Sequence, residues 1–484
     1  MDYQSTRGLS PKLDSAAAVL QGLAPDGGLY VAAEQTAFDW RSTVHKTTTL
    51  AMAERVLGAL LPDFSDMKGL VRAAYSGKFE SDELTPLVRV GGRWVLELFR
   101  GPTSAFKDVA LSMLPQLITA ARRQTGVTDE ICILTATSGD TGKAALEGFR
   151  DVAGTKIIVF YPADGVSQVQ QAQMVTQEGE NVCVCAVEGN FDDAQNGVKA
   201  VFSAGLPENC GVRLSSANSI NIGRLAPQVV YYFKAYADLL RDGSIREGDA
   251  VDFVVPTGNF GDILAGYLAK TMGLPVGKLV CASNRNDVLT DFLSTGTYDR
   301  RRPFYKTLSP SMDILVSSNL ERLLYLLCGS SAEVAEYMRR LSADGCYTVS
   351  PELLEKLHES FAWGCCDDEQ TRETIGRVWR TEGYLMDTHT AVAWKVAERR
   401  STERPTVVLS TASPYKFPKA VLSALGGDTQ AEEFVLMRRL NELTGVPIPP
   451  QLAALPSKPV RHTDRIAADA MREYVLGRLQ RWKK

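Results

Sequence analysis

Three loops in the sequence combine glycines with side chains that can bind an anion or attack a carbonyl group. The first, residues 101–108, reads Gly-Pro-Thr-Ser-Ala-Phe-Lys-Asp and places Lys107 after a strand-like run and at the start of a helical pattern. The positive end of a helix disfavours a protonated amine, so we expect this lysine to be partly neutral. A neutral lysine amine can act as a nucleophile or as a base.

The second loop, residues 137–143, reads Thr-Ser-Gly-Asp-Thr-Gly-Lys and also lies between a predicted strand and a predicted helix. The free N–H groups at a helix N-terminus bind anions, so a carboxylate or a phosphate is the expected ligand. A nucleotide-binding P-loop needs four residues between its glycines and a Ser or Thr after the lysine. Here two residues intervene and Ala144 follows, which argues against a nucleoside triphosphatase.

The third loop, residues 256–262, reads Pro-Thr-Gly-Asn-Phe-Gly-Asp and has the same position between a strand and a helix. Its glycines allow the backbone to approach a phosphate closely, although a plain turn is the alternative interpretation. A dinucleotide fingerprint would need a G-x-G pair, which this loop lacks. One cofactor needs a lysine for a Schiff base, a phosphate cradle and a second cradle for a substrate carboxylate. These three loops together therefore predict an enzyme that uses pyridoxal 5'-phosphate as its cofactor.

The composition excludes several other classes of protein. The chain has 484 residues, 45% of them hydrophobic and 23% charged, and a formal net charge of -4, which is typical of a globular protein without general affinity for nucleic acid or membranes. The four histidines lie far apart in the sequence, so we expect no metal site. The nine cysteines form no C-x-x-C motif and favour a reducing, cytoplasmic compartment.

The elements that must position the loops repeat one order, a short apolar strand, a polar turn and then a helix. This alternation predicts an α/β fold with parallel sheets. The predicted strands are 94–99, 131–135, 156–161, 182–187, 251–255, 279–282 and 406–409. The predicted helices are 108–123, 142–150, 223–240, 262–272 and 389–399.

The motifs occur in an order that resembles the threonine synthases, which belong to the tryptophan-synthase-like, fold-type II group of pyridoxal-phosphate enzymes. The resemblance covers nearly the whole chain and rests on Ser5–Gly8, Gly22–Leu29, Glu97–Phe99, Gly101–Asp108, Thr137–Gly142, Ser216–Asn221 with Arg224, Pro256–Asp262, Ser311–Ile314, and Thr411–Pro414 with Lys416 and Phe417. It implies two doubly wound parallel-sheet domains with an added N-terminal domain and a C-terminal helical tail. The implied boundaries are 1–93 for the N-terminal domain, 94–125 with 205–425 for the large cofactor-binding domain, 126–204 for the small domain and 426–484 for the tail.

The resemblance also implies a role for each matching residue. Lys107 forms the Schiff base and is the catalytic residue, and the Thr411 hydroxyl meets the ring nitrogen of the cofactor. The cofactor phosphate is held by Gly258, Asn259, Phe260, Gly261 and Asp262. The substrate carboxylate is bound by Thr137, Ser138, Gly139, Asp140 and Thr141. The substrate phosphate is bound by Asn218, Ser219, Asn221 and Arg224, a hypothesis that the clustered polar side chains favour.

The implied reaction converts O-phospho-L-homoserine and water into L-threonine and phosphate, in a monomer or a homodimer. A lyase of the same group that releases 2-oxobutyrate and ammonia is the nearest alternative, because such enzymes share these cofactor loops. Two further alternatives are a binding protein that has lost turnover and a nucleotide-binding module. Arg100 stands where the family commonly has His, and we expect it either to bind a substrate oxygen or to orient the pocket wall.

Overall fold

Two sheets of mainly parallel strands form the centre of the fold, and helices pack against them. The structure is a computed structural model that describes residues 1–34, 37–46, 48–137, 139–164, 166–207 and 210–482. The strands are β1 (Tyr3–Ser5), β2 (Tyr30–Ala32), β3 (Leu87–Val90), β4 (Arg93–Glu97), β5 (Glu130–Ala136), β6 (Thr155–Pro162), β7 (Val182–Glu188), β8 (Val212–Ser215), β9 (Val251–Pro256), β10 (Val276–Ser283), β11 (Thr297–Asp299), β12 (Cys346–Thr348), β13 (Phe361–Cys365), β14 (Thr406–Ser410) and β15 (Asp464–Ala467).

The helices fill the connections between these strands and form most of the N-terminal and C-terminal regions. They are α1 (Ser15–Gln21), α2 (Trp40–Val44), α3 (Thr49–Leu60), α4 (Met67–Tyr75), α5 (Lys107–Gln124), α6 (Asp140–Phe149), α7 (Gln168–Val175), α8 (Phe191–Ala204), α9 (Ile222–Arg241), α10 (Gly261–Thr271), α11 (Val288–Thr295), α12 (Leu320–Cys328), α13 (Ser331–Ala343), α14 (Pro351–Ser360), α15 (Asp368–Glu382), α16 (Thr388–Glu398), α17 (Pro418–Ala424), α18 (Glu433–Thr444), α19 (Pro450–Ala453) and α20 (Met471–Arg481). None of the helices in the described part of the chain combines the length and the apolar character that a membrane crossing requires.

The large sheet has six strands in the order β13-β10-β9-β14-β4-β3. All neighbouring strands are parallel except β3 and β4, which form an antiparallel hairpin at one edge. Strands β9 and β14 are buried along their whole length, which explains their nearly uninterrupted apolar sequences. The loops after β4, β9 and β14 all leave the sheet at the carboxyl ends of parallel strands and therefore lie at the same edge.

The small sheet has five parallel strands in the order β15-β7-β6-β5-β8. Its central strand β6 is buried at every residue, and helices α6 and α8 pack against it. The loop that follows β5 leads into α6 and carries the Thr137–Lys143 motif. The small sheet therefore supplies the second predicted loop, and the large sheet supplies the first and third.

The fold class and the predicted elements are confirmed. Each of the seven predicted strands corresponds to β4, β5, β6, β7, β9, β10 or β14, and each of the five predicted helices corresponds to α5, α6, α9, α10 or α16. The other eight strands of the described residues, β1, β2, β3, β8, β11, β12, β13 and β15, were not predicted. Four of them, β3, β8, β13 and β15, lie at the edges of the two main sheets, where fewer side chains are buried and the apolar pattern is weak.

Three of the edge strands, β3, β8 and β15, pair with strands on the other side of a domain boundary expected from the sequence. Strand β3 precedes residue 94 but belongs to the large sheet, and β8 follows residue 204 but belongs to the small sheet. Strand β15 lies in the C-terminal region and pairs with β7, so this region adds a strand as well as helices to the small sheet.

Helix α5 follows the first loop and positions Lys107. It packs against α6 of the small sheet and against α9, and most of its residues are buried. Lys107 is its first residue. Because α5 is buried on several sides, its position is fixed, and so is the position of the Lys107 Cα atom.

Candidate active site

One cavity brings together residues from all three loops and from the start of α9. We call it the central cavity, and its lining is Phe106, Lys107, Thr141, Asn218, Ser219, Arg224, Gln228, Pro256, Gly258, Asn259, Gly261, Asp262, Ser311, Met312, His389 and Thr411. The lining is mostly polar and comes from segments that are far apart in the sequence. A lining with these charged and hydrogen-bonding side chains suits a small, charged ligand.

Lys107 is held at the cavity by the backbone of its own loop. Phe106 N donates to the Thr411 carbonyl oxygen at 2.8 Å, and a β-bridge joins Ala105 to Ala412. Leu98 N donates to the Ser410 carbonyl oxygen at 2.9 Å. The loop after β4 is therefore fastened to the end of β14, and Lys107 and Thr411 reach the same cavity for that reason.

The Lys107 amine is buried in an environment that favours its neutral form. Its side chain is 9% exposed, and its Nζ atom lies 4.0 Å from Oδ2 of Asp140. Its pKa is lowered to about 8: burial is the main cause, Asp140 acts in the opposite direction, and the positive charges of Arg224 and Lys416 add to the lowering. The expectation of a partly neutral lysine therefore agrees with the structure, in which burial of the amine is the main cause.

Asp140 is bound on its other side by two further groups. Its Oδ1 atom accepts a hydrogen bond from Gln170 Nε2 at 2.8 Å and lies 2.5 Å from Nζ of Lys416. Burial would raise the pKa of this carboxyl, but Lys416 and Lys107 hold it well below its usual range. Asp140 is thus an ionised counter-ion for two buried lysines.

The backbone of the loop after β5 is closed partly on itself. Thr137 Oγ1 accepts hydrogen bonds from Gly139 N at 3.0 Å and from Gly142 N at 2.9 Å. Thr141 lines the central cavity, whereas Thr137 and Gly139 do not belong to its lining. Ser138, which the sequence also suggested as a substrate ligand, lies outside the described residues.

The loop after β9 makes a tight turn against the segment between β11 and α12. A Cβ atom on Gly258 would lie 2.6 Å from the Ser311 carbonyl oxygen, so only glycine fits there without a shift of the backbone. Ser317 Oγ donates to the Gly258 carbonyl oxygen at 2.8 Å, and Asn319 N donates to the Asn259 carbonyl oxygen at 3.1 Å. This packing leaves the turn and the start of α10 facing the cavity.

Of the residues in this turn, Phe260 is buried away from the cavity and Asp262 lines it. Phe260 adopts a left-handed backbone conformation (φ 64°), and its side chain is fully buried with its ring 5.8 Å from that of Phe361. It therefore shapes the turn and is not part of the lining. Asp262 lines the cavity, and burial raises the pKa of its carboxyl to about 6.

Arg224 contributes a buried positive charge at the start of α9. Its Nη1 atom donates to the Ala217 carbonyl oxygen at 2.6 Å, but its buried Nε atom has no hydrogen-bond partner among the described residues. Burial lowers its pKa to about 10. A buried N–H of a guanidinium group without an acceptor is costly, and an anionic oxygen would satisfy it.

The other polar residues of this segment divide between the cavity and the scaffold. Asn218 and Ser219 line the cavity, and Ser219 Oγ accepts a hydrogen bond from Asn319 Nδ2 at 3.0 Å. Asn221 does not line it. Its side chain caps α9 by accepting from Gly223 N and donates to the Val19 carbonyl oxygen at 2.9 Å, so it ties α9 to α1.

Arg100 lies away from the central cavity. Its guanidinium group bonds to Glu97 at 2.6 Å and to Glu80 at 3.1 Å, and it lines a different pocket. The two carboxylates already occupy its donors. A contact between Arg100 and the substrate stays a prediction that this geometry does not favour.

His389 lines the central cavity and was not among the predicted site residues. Its Nε2 atom accepts from Ser311 N at 3.2 Å, so its Nδ1–H donates to Asp387 Oδ2 at 2.7 Å. Helices in an α/β fold run antiparallel to the strands, so the N-terminus of α16 reaches the same sheet edge as the loops, and that rule is a signal that could have identified it.

The residues of the cavity fit pyridoxal phosphate. A buried lysine with a lowered pKa can bind an aldehyde, and the turn at Gly258 leads into the N-terminus of α10, where a phosphate binds well. The unpartnered Nε atom of Arg224 offers a donor for a second anionic group. The cavity thus has places for a carbonyl compound and two anions.

Comparison with known proteins identifies three consecutive matches along the chain. A family model described as "Pyridoxal-phosphate dependent enzyme" matches residues 79–352, "Threonine synthase N terminus" matches residues 2–75, and "Threonine synthase, C-terminal" matches residues 390–475. The threonine synthase of Pseudomonas aeruginosa is 43% identical over 443 residues, which cover 89% of this chain and 92% of that protein.

Solved structures match over nearly the whole length. The structure of a threonine synthase from Brucella melitensis with bound PLP has a TM-score of 0.88 and 39% identity, and covers 100% of both chains. The threonine synthase from yeast has a TM-score of 0.88 and 34% identity, and the match covers 99% of both chains.

Proposed function

The chain belongs to the threonine synthase family of pyridoxal-phosphate-dependent enzymes, and from this premise we propose how its own residues carry out the reaction. The proposed reaction converts O-phospho-L-homoserine and water into L-threonine and phosphate. The observation that carries the proposal is the position of Lys107, a buried amine in the same cavity as the Gly258–Asp262 turn and the unpartnered Nε of Arg224.

The cofactor supplies an aldehyde for the amino group of the substrate and an electron sink for the charge that develops at the α-carbon. We assign the cofactor phosphate to the turn formed by Gly258, Asn259, Phe260, Gly261 and Asp262. The start of α10 favours an anion at this turn. We assign the ring nitrogen to the hydroxyl of Thr411, which lines the same cavity.

Lys107 is the proposed base. A pKa of about 8 leaves about a tenth of its amine neutral at pH 7, compared with about one part in three thousand at the usual value. The neutral amine removes the α-proton of the substrate and becomes an ammonium ion. Asp140, 4.0 Å away and ionised, stabilises that ammonium ion and keeps it directed at the site.

The protons and the leaving group balance across the whole reaction. The β-carbon loses a proton, phosphate leaves the γ-carbon, and the γ-carbon gains a proton to become a methyl group. Water then adds its hydroxyl group to the β-carbon, and the α-carbon is protonated again. The three protons released by the α-carbon, the β-carbon and water are thus taken up by the γ-carbon, the α-carbon and the departing phosphate. We propose that Lys107 carries protons at the α-carbon, because it is the buried amine with a lowered pKa in this cavity.

The substrate is proposed to bind through two anionic ends. The Nε atom of Arg224 and the side chains of Asn218 and Ser219 are the proposed ligands of the substrate phosphate, because all three line the cavity and the Nε atom lacks an acceptor. Thr141 and the start of α6 are the proposed site for the carboxylate. Asp140 takes part through Lys107 and Lys416, since its own negative charge would repel a carboxylate.

Three broader assignments belong to the same proposal. We propose the division into an N-terminal domain, a large domain, a small domain and a C-terminal region, with β3, β8 and β15 assigned to the sheets they join. A reducing, cytoplasmic location is supported by the cysteines, since no disulfide joins those in the described residues. The enzyme is proposed to act as a monomer or a homodimer, which sedimentation velocity distinguishes.

The decisive experiment incubates the purified holoenzyme with O-phospho-L-homoserine and measures threonine, phosphate and 2-oxobutyrate together. Equal amounts of threonine and phosphate support the proposal. Release of 2-oxobutyrate and ammonia would identify the lyase alternative, and the absence of any product would identify a binding protein. Lys107→Ala should lose at least about a thousandfold in rate, and borohydride should label the wild type at Lys107 but not this variant.

A further inference from the structure

A second pocket lies on the other side of the loop that carries Lys107, and we call it the outer pocket. It is formed where five segments meet, namely the chain after α4, the loop after β4, helix α6 with the residue that follows it, helix α7 and the region of α19. Its charged lining consists of Lys78, Arg100, Lys143, Arg150 and Lys458 with Glu80 and Glu147. It shares no lining residue with the central cavity.

Most of these charges are paired inside the lining or beside it. Arg100 bonds to Glu80 and Glu97, and Lys143 and Arg150 share Glu147 at 3.2 and 3.0 Å. The three carboxylates therefore neutralise three of the five cations, which leaves an excess of two positive charges.

The two lysines at the mouth of the outer pocket account for this excess. The side chains of Lys78 and Lys458 form no hydrogen bond or ion pair with any described residue. The pKa of Lys78 is lowered by burial, with Glu147 acting in the opposite direction and Arg150 lowering it further. Lys78 thus lies close to a second cation as well as to a carboxylate that Lys143 and Arg150 already share.

One residue of the lining has a buried hydrogen-bonding atom without a partner. Gln173 lines the pocket and is 2% exposed, and its Oε1 atom has no partner among the described residues. Its Nε2 atom donates to the Thr103 carbonyl oxygen at 3.1 Å. The same carbonyl oxygen accepts from Lys416 Nζ at 3.2 Å, so one atom connects the outer pocket to the ion pair at the active site.

We propose that the outer pocket is a second, non-catalytic binding site for a phosphate dianion. The two unpaired lysines, Lys78 and Lys458, match the two negative charges of the phosphate. The P–OH group of the phosphate can donate a hydrogen bond to Gln173 Oε1, which has no donor among the described residues. A ligand there joins segments of the large domain, the small domain and the C-terminal region, so it stabilises their arrangement. Gln173 and Lys416 donate to the same carbonyl oxygen of Thr103, so ligand binding in the outer pocket also affects the ion pair of Lys416 and Asp140. This assignment goes beyond the proposed reaction and does not depend on it.

The test measures the binding of radiolabelled inorganic phosphate to the holoenzyme by equilibrium dialysis, in chloride buffers of fixed ionic strength. The Lys78→Gln/Lys458→Gln double variant should lose one bound phosphate per chain, or bind it at least about tenfold more weakly. The control is Lys68→Gln/Lys199→Gln, which removes the same charge from exposed lysines outside the pocket and should bind as the wild type does. The cofactor absorbance and the far-ultraviolet circular dichroism of each variant establish that it is folded.

A second arm separates the pocket from the proposed substrate site. The Arg224→Gln holoenzyme should keep the outer phosphate, and adding Lys78→Gln and Lys458→Gln to it should remove that phosphate. Methyl phosphate in place of inorganic phosphate distinguishes a site for the free ion from one that also accepts a phosphate ester. Equal phosphate binding by the wild type and the Lys78→Gln/Lys458→Gln variant would overturn the proposal, and so would an equal loss in the Lys68→Gln/Lys199→Gln control.

Discussion

Lys416 and Asp140 form an ion pair with a distance of 2.5 Å between Nζ and Oδ1, and both side chains are almost completely buried. Lys416 follows β14 of the large sheet, whereas Asp140 begins α6 beside the small sheet. The pair therefore joins the two sheets at the point where Lys107 enters the cavity. Because the other oxygen of Asp140 faces Lys107, the same carboxylate also controls the charge of the proposed base.

The first prediction concerns the pH dependence of cofactor capture by the apoenzyme, followed by absorbance. The neutral Lys107 amine is the form that attacks an aldehyde, so the rate should rise about tenfold per pH unit below its pKa of about 8 and then level off. Asp140 raises the pKa of Lys107, so Asp140→Asn should lower it and move the plateau to a lower pH. Asp192→Asn, on the exposed face of α8, is the matched control. A shift to higher pH in Asp140→Asn would contradict this electrostatic account.

The second prediction concerns Arg224 and the substrate phosphate. Arg224→Gln removes a charged donor whose Nε atom has no protein partner, so KM for O-phospho-L-homoserine should rise about 10- to 100-fold with a smaller change in kcat. Arg224→Lys should recover part of the affinity because it restores the charge. Inhibition by L-homoserine, which lacks the phosphate, should change little. An unaltered KM in Arg224→Gln would exclude this residue as the phosphate ligand.

The third prediction concerns the turn at Gly258. Gly258→Ala places a methyl group 2.6 Å from the Ser311 carbonyl oxygen, so one of the two segments must move. We expect a loss of about 1–3 kcal/mol in the free energy of unfolding and a cofactor Kd that is at least about tenfold higher. Gly58→Ala in helix α3 has no atom within 4 Å of the added methyl group and should be neutral or stabilising. Unchanged cofactor affinity in Gly258→Ala would remove the turn from the cofactor site.

The fourth prediction concerns His389, which joins Asp387 to the backbone of Ser311. His389→Ala leaves a buried N–H group and a buried carboxylate each without one partner, so the free energy of unfolding should fall by about 1–3 kcal/mol. The Ser311 segment packs on the Gly258 turn, so the cofactor should dissociate faster. His389→Gln can still accept from Ser311 N and should lie between the wild type and His389→Ala. Identical dissociation rates in all three proteins would show that this contact does not support the cofactor.

The sequence predicted the elements near the site well because each had a strong local signal. Strands β9 and β14 are buried on both faces, and helices α5 and α9 have long apolar patterns. The lysine was predicted to be partly neutral from its place at a helix start, and the structure gives the same direction with burial as the main cause. Edge strands such as β15 were missed, because their mostly exposed residues lack an apolar alternation.

The sequence alone was less informative about which polar side chains face the cavity. Asn221 and Arg224 both belong to one polar segment, yet Asn221 caps α9 and Arg224 has an unpartnered buried atom. Asp140 was expected to help bind a carboxylate, whereas it is the counter-ion of Lys107 and Lys416. Arg100 follows directly after the strand that leads to Lys107 but lines the outer pocket.

By itself, the sequence determined the order of strands and helices, the three glycine-containing loops and the residue types that suit a lysine-bound cofactor with two anionic groups. These features depend on neighbours within a few residues, so they can be recognised from the spacing of apolar residues and from the residue types in turns. The tertiary structure decided the pairing of Asp140 with Lys416, the place of His389 at the cavity and the separation of Arg100 from it. Those relationships join residues from different sheets or distant segments, and only the packing of the folded chain sets the distances between them.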